Sequence, residues 1–262
     1  MYISYKKYGI RIGQVWFEEA LPEGKPRADI VFFHGSRERR EGSFCRTEVF
    51  HTLLSDLSLS EEELYSAIHK NVRYEIRKNE KEPMTVRFFT KEMLSGDEKT
   101  LEELENMYHA LYLSKGMNQS LSHGQLLGYA KTGALVITEI LFERQPLVIH
   151  SYLTDGKQTR LLHSVSEFRN EGADANLVAR ANKRLHWEDM KYFKEHGMDL
   201  YDWGGISNPD NPNGIDSFKM KFGGTPETYY NVLEGRSLLG KLGVVAVKLK
   251  DGRKKRSERE AE

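Results

Sequence analysis

Two lysines in the last quarter of the chain have the residue type and the surroundings for electrostatic catalysis. Lys219 and Lys221 are flanked by phenylalanines and follow a short apolar strand that ends in Gly204 and Gly205. A fixed ammonium group stabilises the oxyanion that forms when an acyl group is transferred to an amine. The alternative is that both lysines only solvate one side of a turn that packs through its phenylalanines. For Lys221 we expect this structural role or a phosphate contact.

An acidic residue lies in the same apolar strand. Asp202 stands between Tyr201 and Trp203. A carboxylate in such surroundings can have a raised pKa and accept the proton of an amine. The alternative is a buried acid that binds nearby backbone amides and orients the turn at Gly204 and Gly205. Both glycines are expected mainly to fix the geometry of the turn, with ligand contact as the secondary role. We list them, with Trp203, among the predicted substrate-binding residues.

Histidines supply the other candidates for a general base. His186 lies on a predicted helix, and His150 and His163 lie on predicted strands. A lone histidine among apolar residues is more often structural than catalytic, and each of the three keeps that alternative. We list His186 among the predicted substrate-binding residues. Trp187, its neighbour, is expected to pack, with stacking against a ligand as the alternative.

A basic face is predicted on the helix from Ser60 to Lys81. Lys70, Arg73 and Arg77 recur at helical spacing opposite an apolar stripe. Such a face can contact the phosphates of a nucleotide-linked substrate or of tRNA. The alternative is a solvated helix face, because glutamates are interspersed with the basic residues.

Composition limits the classes of protein that fit. The 262 residues include 39 basic and 39 acidic side chains, so the formal net charge is zero. This balance argues against general DNA binding or a membrane-wide electrostatic attraction. The single Cys45 excludes an internal disulfide and a cysteine-rich metal site. Without an apolar run of transmembrane length or a signal-peptide core, we predict a cytoplasmic protein.

The first half of the chain predicts strands followed by helices. Residues 1–57 are β-rich, with strands at Gly9–Phe17, Asp29–His34 and Glu48–Leu54. The helix from Ser60 starts with capping-box spacing to Glu63. Its buried stripe comprises Leu64, Ile68, Val72 and Ile76, and further elements are predicted at Val86–Phe89 (strand), Asp97–Leu113 (helix) and Ser122–Tyr129 (helix).

The second half predicts an antiparallel meander, a long helix and a final strand. Three strands fall between residues 134 and 164, and the helix covers 176–196. The crossover rule places the strand Leu200–Trp203 parallel to the last strand of the meander. Further strands are predicted at Glu227–Leu233 and Gly243–Leu249. The charged tail from Lys250 is predicted to be disordered.

These motifs resemble the Fem-type aminoacyltransferases, a family within the GNAT superfamily of acyltransferases. The resemblance rests on the helix Leu185–Gly197, the strand end Tyr201–Ile206 and the segment Gly214–Gly224 with its Phe-Lys-x-x-Phe-Gly motif. The helix Glu61–Lys81 is similar to the N-terminal half of that family. The broader acetyltransferase relatives share these features, and the resemblance covers residues 48–230.

The resemblance implies an α+β fold of the GNAT-like acyltransferase type, with a mixed, largely antiparallel sheet and flanking helices. It implies a reduced GNAT-like N-terminal subdomain at 1–115, a catalytic GNAT-like domain at 116–235 and a C-terminal extension at 236–262. It assigns oxyanion stabilisation to Lys219 and leaves Asp202 to orient or deprotonate the amine. No metal and no tightly bound cofactor are implied.

The implied reaction moves an acyl or aminoacyl group from an activated carrier to an amine of a nucleotide- or lipid-linked cell-envelope or glycan precursor. Aminoacyl-tRNA and acyl-CoA both remain open as donors, so tRNA is a candidate partner. The coenzyme A loop of ordinary acetyltransferases is not matched by Glu167–Asn176. Without a Ser-His-Asp or Cys-His arrangement, we expect direct transfer between positioned substrates. Two alternatives remain: an acetyl-CoA-dependent N-acetyltransferase and a non-catalytic nucleotide- or glycan-binding module.

Overall fold

The fold is described by a computed structural model that covers residues 1–24, 27–94, 98–166 and 174–259, with side chains up to Arg253. The described elements are, in chain order, β1 (Tyr2–Lys7), β2 (Ile10–Trp16), β3 (Ile30–Ser36), β4 (Cys45–Asp56), α1 (Glu61–Ala67), α2 (Lys70–Asn79), β5 (Met84–Phe89), α3 (Lys91–Leu94), α4 (Glu98–Leu113), α5 (His123–Thr132), β6 (Leu135–Phe142), β7 (Gln145–Thr154), β8 (Gln158–Ser166), α6 (Ala175–Glu195), β9 (Leu200–Ile206), α7 (Gly214–Met220), β10 (Thr225–Gly235) and α8 (Leu238–Arg259).

Internal contacts divide the chain into two compact units. The first comprises Met1–His51 and Thr228–Glu262, and the second comprises Thr52–Glu227. The boundary predicted between residues 115 and 116 falls inside the second unit, because α1 and α2 share one apolar core with α6 and β9. The boundary predicted between 235 and 236 falls inside the first unit. The predicted division into subdomain and catalytic domain therefore differs from the compact units.

The first unit contains a small mixed sheet. Its strand order is β1-β2-β3-β10, with the first part of β4 beside β10. Strands β2 and β3 are parallel, whereas β1 pairs with β2 and β10 pairs with β3 in antiparallel fashion. The predicted strands of residues 1–57 are confirmed, and β1 is an additional strand that the sequence analysis did not predict. The sheet buries an apolar cluster around Val15, Val31, Phe33 and Val232.

The C-terminal segment forms helix α8, which corrects two predictions. Gly243–Leu249 was predicted as a strand because of its run of β-branched residues, yet it lies within α8. The amide of Gly240 donates to the Ser237 hydroxyl (3.1 Å), which caps the helix start, and Val244 packs fully buried. The tail predicted as disordered continues this helix to Arg259, because Lys and Arg are good helix formers that need no buried apolar surface. Residues 260–262 lie outside the described residues.

The second unit contains the predicted meander and the long helix. Its strand order is β9-β8-β7-β6-β5, with the end of β4 beside β9. The pairs from β5 to β8 are antiparallel, and β8 and β9 are parallel, as predicted. Helix α6 is buried on several sides. This succession of helices, meander, long helix and parallel strand confirms the predicted α+β class and GNAT-like fold.

The predicted helix from Ser60 to Lys81 is two helices. The capping box of Ser60 and Glu63 is present and the whole apolar stripe is buried, as predicted. However, Ile68 is extended (φ −69°, ψ 133°) and His69 starts α2 by accepting a hydrogen bond from the Asn71 amide. The backbone amide of His69 donates instead to the Lys221 carbonyl (2.8 Å). A tertiary contact thus replaces helical hydrogen bonds at this point.

No helix among the described residues combines the length and the apolar character needed to cross a bilayer.

Candidate active site

Strands β8 and β9 pair at one end and separate at the other. The parallel ladder runs from Gln158–Leu200 to Arg160–Asp202, although both strands continue beyond it. The partner strand β7 pairs Ser151 with His163 and Tyr152 with Leu161, so Leu162 is an extra residue in β8. Such a bulge bends the strand that carries it. We call residues 158–160 and 200–202 the closed end, and residues 162–166 and 204–206 the open end.

A buried ion pair holds the closed end. Arg160 Nε lies 2.7 Å from Asp202 Oδ2, and both side chains are buried. The other carboxylate oxygen accepts a hydrogen bond from the Gly204 amide (2.8 Å). The Thr52 hydroxyl lies within hydrogen-bonding reach of this carboxylate and of the Gly204 carbonyl (2.8 Å). These contacts favour the structural alternative for Asp202, in which the carboxylate orients the glycine turn.

Arg160 and Thr52 are site residues that the sequence analysis missed. Arg160 had a signal, because it is a charged residue within an apolar strand that was predicted to lie beside the strand of Asp202. A buried carboxylate needs a compensating charge or several donors. Nothing in the sequence indicated Thr52 as a site residue, because the strand that contains it was predicted without a partner strand.

Gly204 is the point where the two strands part. Its φ of +68° lies in the left-handed region, and a Cβ atom there would come within 2.6 Å of the Leu161 carbonyl oxygen. Both conditions exclude any larger residue without rearrangement. Gly205, the next residue, is exposed at the open end.

Lys219 reaches the open end from helix α7. Its ammonium donates a hydrogen bond to the Gly205 carbonyl (2.8 Å). Partial burial lowers the pKa of Lys219, while the carboxylates of Asp202 and Asp216 act in the opposite direction. Asp216 also fixes the start of α7, because it forms a capping box with Asn213. The helix therefore holds the ammonium of Lys219 beside the glycine turn.

The other residues predicted around Lys219 have structural positions. Lys221 is exposed, and its carbonyl accepts the amide of His69. Trp203 is fully buried and donates from its indole nitrogen to the Ser55 hydroxyl (3.0 Å), so it belongs to the core. His186 is buried against Trp203, with ring centroids 4.9 Å apart. The structure brings Lys219, Asp202 and the two glycines together and places Trp203 and His186 behind them.

A chain of buried polar groups lies behind the closed end. The Tyr152 hydroxyl contacts both the Tyr201 hydroxyl (2.7 Å) and Asp189 Oδ2 (2.6 Å), and Tyr201 contacts His186 Nδ1 (3.2 Å). His150 Nδ1 lies 2.7 Å from the same carboxylate oxygen. Burial raises the pKa of both tyrosines well above the ordinary value, and burial beside His150 and Lys219 lowers the pKa of His186 well below it.

Three of these buried polar residues form a potential metal-ligand group among the described residues. The ligand atoms of His150, His186 and Asp189 lie within 4.8 Å of one another. However, the rings of His150 and His186 stack at 4.1 Å, and His150 Nε2 already lies 2.8 Å from Asn182 Oδ1. Stacked rings do not direct their lone pairs at one point. This arrangement works as a hydrogen-bond network that rigidifies the core behind the site.

Of the three histidines considered as bases, His163 lies on the open end of β8. Its Nδ1 lies 2.8 Å from the Ser151 hydroxyl, and Tyr108 of α4 meets the ring edge-on at 5.4 Å. Burial lowers the pKa of His163 to about 4, so the imidazole is neutral at pH 7. His150 and His186, in contrast, are fully buried.

The predicted basic face of α2 borders a cleft of mixed charge. Lys70 and Arg77 are exposed, and the Arg73 guanidinium lies 5.9 Å from the centre of the Tyr65 ring. Arg77 lines a cavity of about 560 Å³ between α1, α2 and α6. Its other lining residues are Glu61, Glu62, Tyr65, Glu80, Trp187 and Lys191. The cleft therefore presents carboxylates beside Arg77, and it is not the uniformly basic wall that phosphate binding favours.

Most of the segment compared with the coenzyme A loop, residues 167–173, lies outside the described residues. The described part begins with Asp174, whose carboxylate accepts hydrogen bonds from the amides of Asn176 (2.9 Å) and Leu177 (3.3 Å). These amides at the start of α6 are already occupied by an acidic side chain. A pyrophosphate at this position would meet a negative charge.

No protein-family model matches the sequence, and no curated protein matches it by sequence. Solved structures do share its fold. The C-terminal domain of a protein described as a lysylphosphatidylglycerol synthetase from Agrobacterium fabrum superposes with a TM-score of 0.54 at 10% identity, over 84% of this chain and 72% of that one. FemX superposes with a TM-score of 0.51 at 16% identity, over 71% of this chain and 61% of FemX.

A third similar structure is a conserved protein of unknown function from Bacteroides thetaiotaomicron. It has a TM-score of 0.54 at 8% identity, over 90% of this chain and 82% of that one. At such low identities the likeness establishes the fold. The predicted Fem-type resemblance is thus confirmed at the level of the fold, and the matched part of this chain spans less than two thirds of FemX.

Proposed function

We propose that this chain is an N-acyltransferase whose reaction takes place at the open end of β8 and β9. The observation that carries the proposal is the position of Lys219, whose ammonium lies at the Gly205 carbonyl where the two strands have separated. In this proposal the acyl group lies between the two separated strand ends. A cation held there by α7 is placed to stabilise negative charge that develops on an acyl oxygen.

The proposed step is direct transfer. The amine nitrogen of the acceptor attacks the acyl carbon, and the bond from that carbon to the oxygen or sulfur of the carrier breaks. The amine loses one proton, and the released carrier gains one. Lys219 stabilises the oxyanion, and the proton lost by the amine is the one that the released oxygen or sulfur of the carrier gains. Asp202 with Arg160 positions the glycine turn and takes no part in proton transfer.

An aminoacyl carrier such as aminoacyl-tRNA is the proposed donor, with an amine of a nucleotide- or lipid-linked precursor as the acceptor. The resemblance of the segment Gly214–Gly224 to the Fem-type aminoacyltransferases supports an aminoacyl group. The carboxylate of Asp174 at the start of α6 argues against a bound pyrophosphate.

Coenzyme A remains a second candidate donor because of the separated strands. The open end of β8 presents a strand edge that is not paired with β9. An extended chain with its own amides, such as pantetheine, pairs with an edge of this kind.

The test is thermal stability of the purified chain with an aminoacyl-tRNA pool, UDP-linked sugars, acetyl-CoA and free coenzyme A, each added separately. A ligand that binds only the native state raises the melting temperature. We expect a shift with aminoacyl-tRNA or a UDP-linked precursor. A shift confined to the coenzyme A ligands would replace the proposed donor with acyl-CoA. No shift with any ligand would favour the non-catalytic alternative.

With an active pair of substrates in hand, Lys219→Ala should lower kcat by about 10²- to 10³-fold, as expected when one oxyanion donor is removed. Lys221→Ala is the matched control, since its exposed side chain lies one residue beyond the end of α7. Equal losses in both variants would contradict the role given to Lys219.

A further inference from the structure

Helix α8 turns its small residues inward and its leucines outward. A Cβ atom on Gly240 would overlap the Asp29 carbonyl, and one on Gly243 would touch Ile30 (3.2 Å). Val244, on the same side, is fully buried. A surface helix ordinarily buries its large apolar residues against the core. Here the glycines allow the helix to approach β3 closely, and the leucines are left for another contact.

The outward side of α8 carries four exposed leucines. Leu238, Leu239, Leu242 and Leu249 are 77%, 62%, 61% and 62% exposed. Positions 238, 242 and 249 recur at spacings of four and seven residues, so they share one face. Phe44 extends this face, because it is 44% exposed and the Lys241 ammonium lies 5.1 Å from its ring centre. We call this set of leucines and Phe44 the leucine face.

Basic residues accompany the leucine face toward the end of the helix. Lys248, Lys250 and Arg253 lie in the last turns whose side chains are described, with Asp251 as their acidic neighbour. Asp251 is itself paired with Arg46. In the sequence, Lys254, Lys255 and Arg256 follow directly. In a chain with zero net charge, this concentration of positive charge beside exposed leucines is local.

We propose that the leucine face docks on an anionic lipid surface. Leucine side chains enter the boundary between headgroups and acyl chains, while adjacent Lys and Arg side chains bind negatively charged headgroups. Charge complementarity favours this occupant over a second copy of the chain, because the leucine face of a second copy presents the same basic residues and not a negative surface. The inference is independent of the proposed reaction, since no residue of the leucine face belongs to the second unit.

The test is cosedimentation of the full chain with vesicles of phosphatidylcholine mixed with phosphatidylglycerol, and with vesicles of phosphatidylcholine alone. We expect binding to the mixed vesicles that weakens with added salt. Leu238→Glu/Leu242→Glu should lower the partition coefficient at least about tenfold, because two leucines lose their burial in the lipid. Lys250→Gln/Arg253→Gln should lower binding to the mixed vesicles alone.

The matched control is Met93→Glu/Leu113→Glu, which places the same charges at exposed apolar positions of the second unit (49% and 58% exposed). It should bind like the wild type. Equal loss in the control, or unchanged binding of the leucine variant, would overturn the proposal. Light scattering is the second measurement: a dimer that the leucine variant abolishes, without vesicle binding by the wild type, would assign the face to self-association.

Discussion

The closed and open ends of the β8–β9 pair belong to the same two strands, yet their side chains serve different purposes. At the closed end, the charges of Arg160 and Asp202 are buried and satisfied by each other and by backbone. At the open end, Lys219 and His163 are only partly buried. In the proposed reaction, the closed end supplies the geometry, and the chemistry takes place at the open end.

The largest effect is expected when the closed end loses its cation. Arg160→Met leaves the Asp202 carboxylate buried without its partner, which should lower the free energy of unfolding by about 3–5 kcal/mol. Urea denaturation measures the change. In the double variant Arg160→Met/Asp202→Asn, part of the loss should return, because the unpaired charge is gone. Strictly additive losses would mean that the two side chains do not interact.

The next effect concerns the point of separation. Gly204→Ala adds a Cβ atom at positive φ against the Leu161 carbonyl, so we expect a loss of about 2–3 kcal/mol in the free energy of unfolding. Gly214→Ala is the control, since a Cβ atom there meets nothing within 4 Å. That variant should be neutral or slightly stabilising. If both glycines tolerate alanine equally, the separation does not depend on Gly204.

Acid should reveal the partial burial of His163 at the open end. Because its pKa falls from 6.5 to about 4 on folding, the unfolded state binds more protons between these values. The free energy of unfolding should therefore decrease as the pH falls from 6.5 to 4. The substitution His163→Gln removes this titration and should make the decrease shallower in urea melts recorded across that range. His186 shifts in the same direction, so some decrease should remain. An unchanged slope would contradict the burial of His163.

The smallest effect is expected on the stability of the protein when the charge of Lys219 is removed. Folding lowers the pKa of Lys219, so the unfolded state binds more protons at pH values between the lowered pKa and 10.5. Below the lowered pKa the charged lysine costs stability by a constant amount, and this cost falls only as the pH rises from the lowered pKa toward 10.5. Lys219→Met should raise the melting temperature slightly at pH 7, with a difference that shrinks at higher pH. A destabilised variant would show that the contact with Gly205 contributes more than burial costs.

Local sequence patterns predicted most of the second unit. The capping box at Ser60, the stripe of α1 and α2, the meander and α6 all follow from periodicity and turn residues, which act within one element. The glycine turn and Lys219 were also predicted together, because they are close in sequence. The crossover rule added the parallel placement of the final strand, and the resemblance to a known family added the GNAT-like type of fold.

The remaining features depend on contacts between distant segments. The break at Ile68 comes from the hydrogen bond of His69 to Lys221, and the buried state of Arg160 comes from its alignment with Asp202. Helix α8 forms although it contains a run of β-branched residues, because Gly240 and Gly243 let it pack closely on β3. Propensity is a weak guide where tertiary packing decides the outcome.

The extra residue Leu162 also determines which side of the sheet each later side chain of β8 faces. Because side chains alternate along a strand, the bulge lets His163 join Ser151 on one side of the sheet, while Ser164 Oγ lies 3.5 Å from Asn182 of α6 on the other. If Leu162 entered the ladder opposite Ser151, every later residue of β8 would slip by one position, and His163 and Ser164 would exchange sides. One residue left outside the ladder therefore determines which side of the sheet carries the imidazole of His163 and which carries the hydroxyl of Ser164.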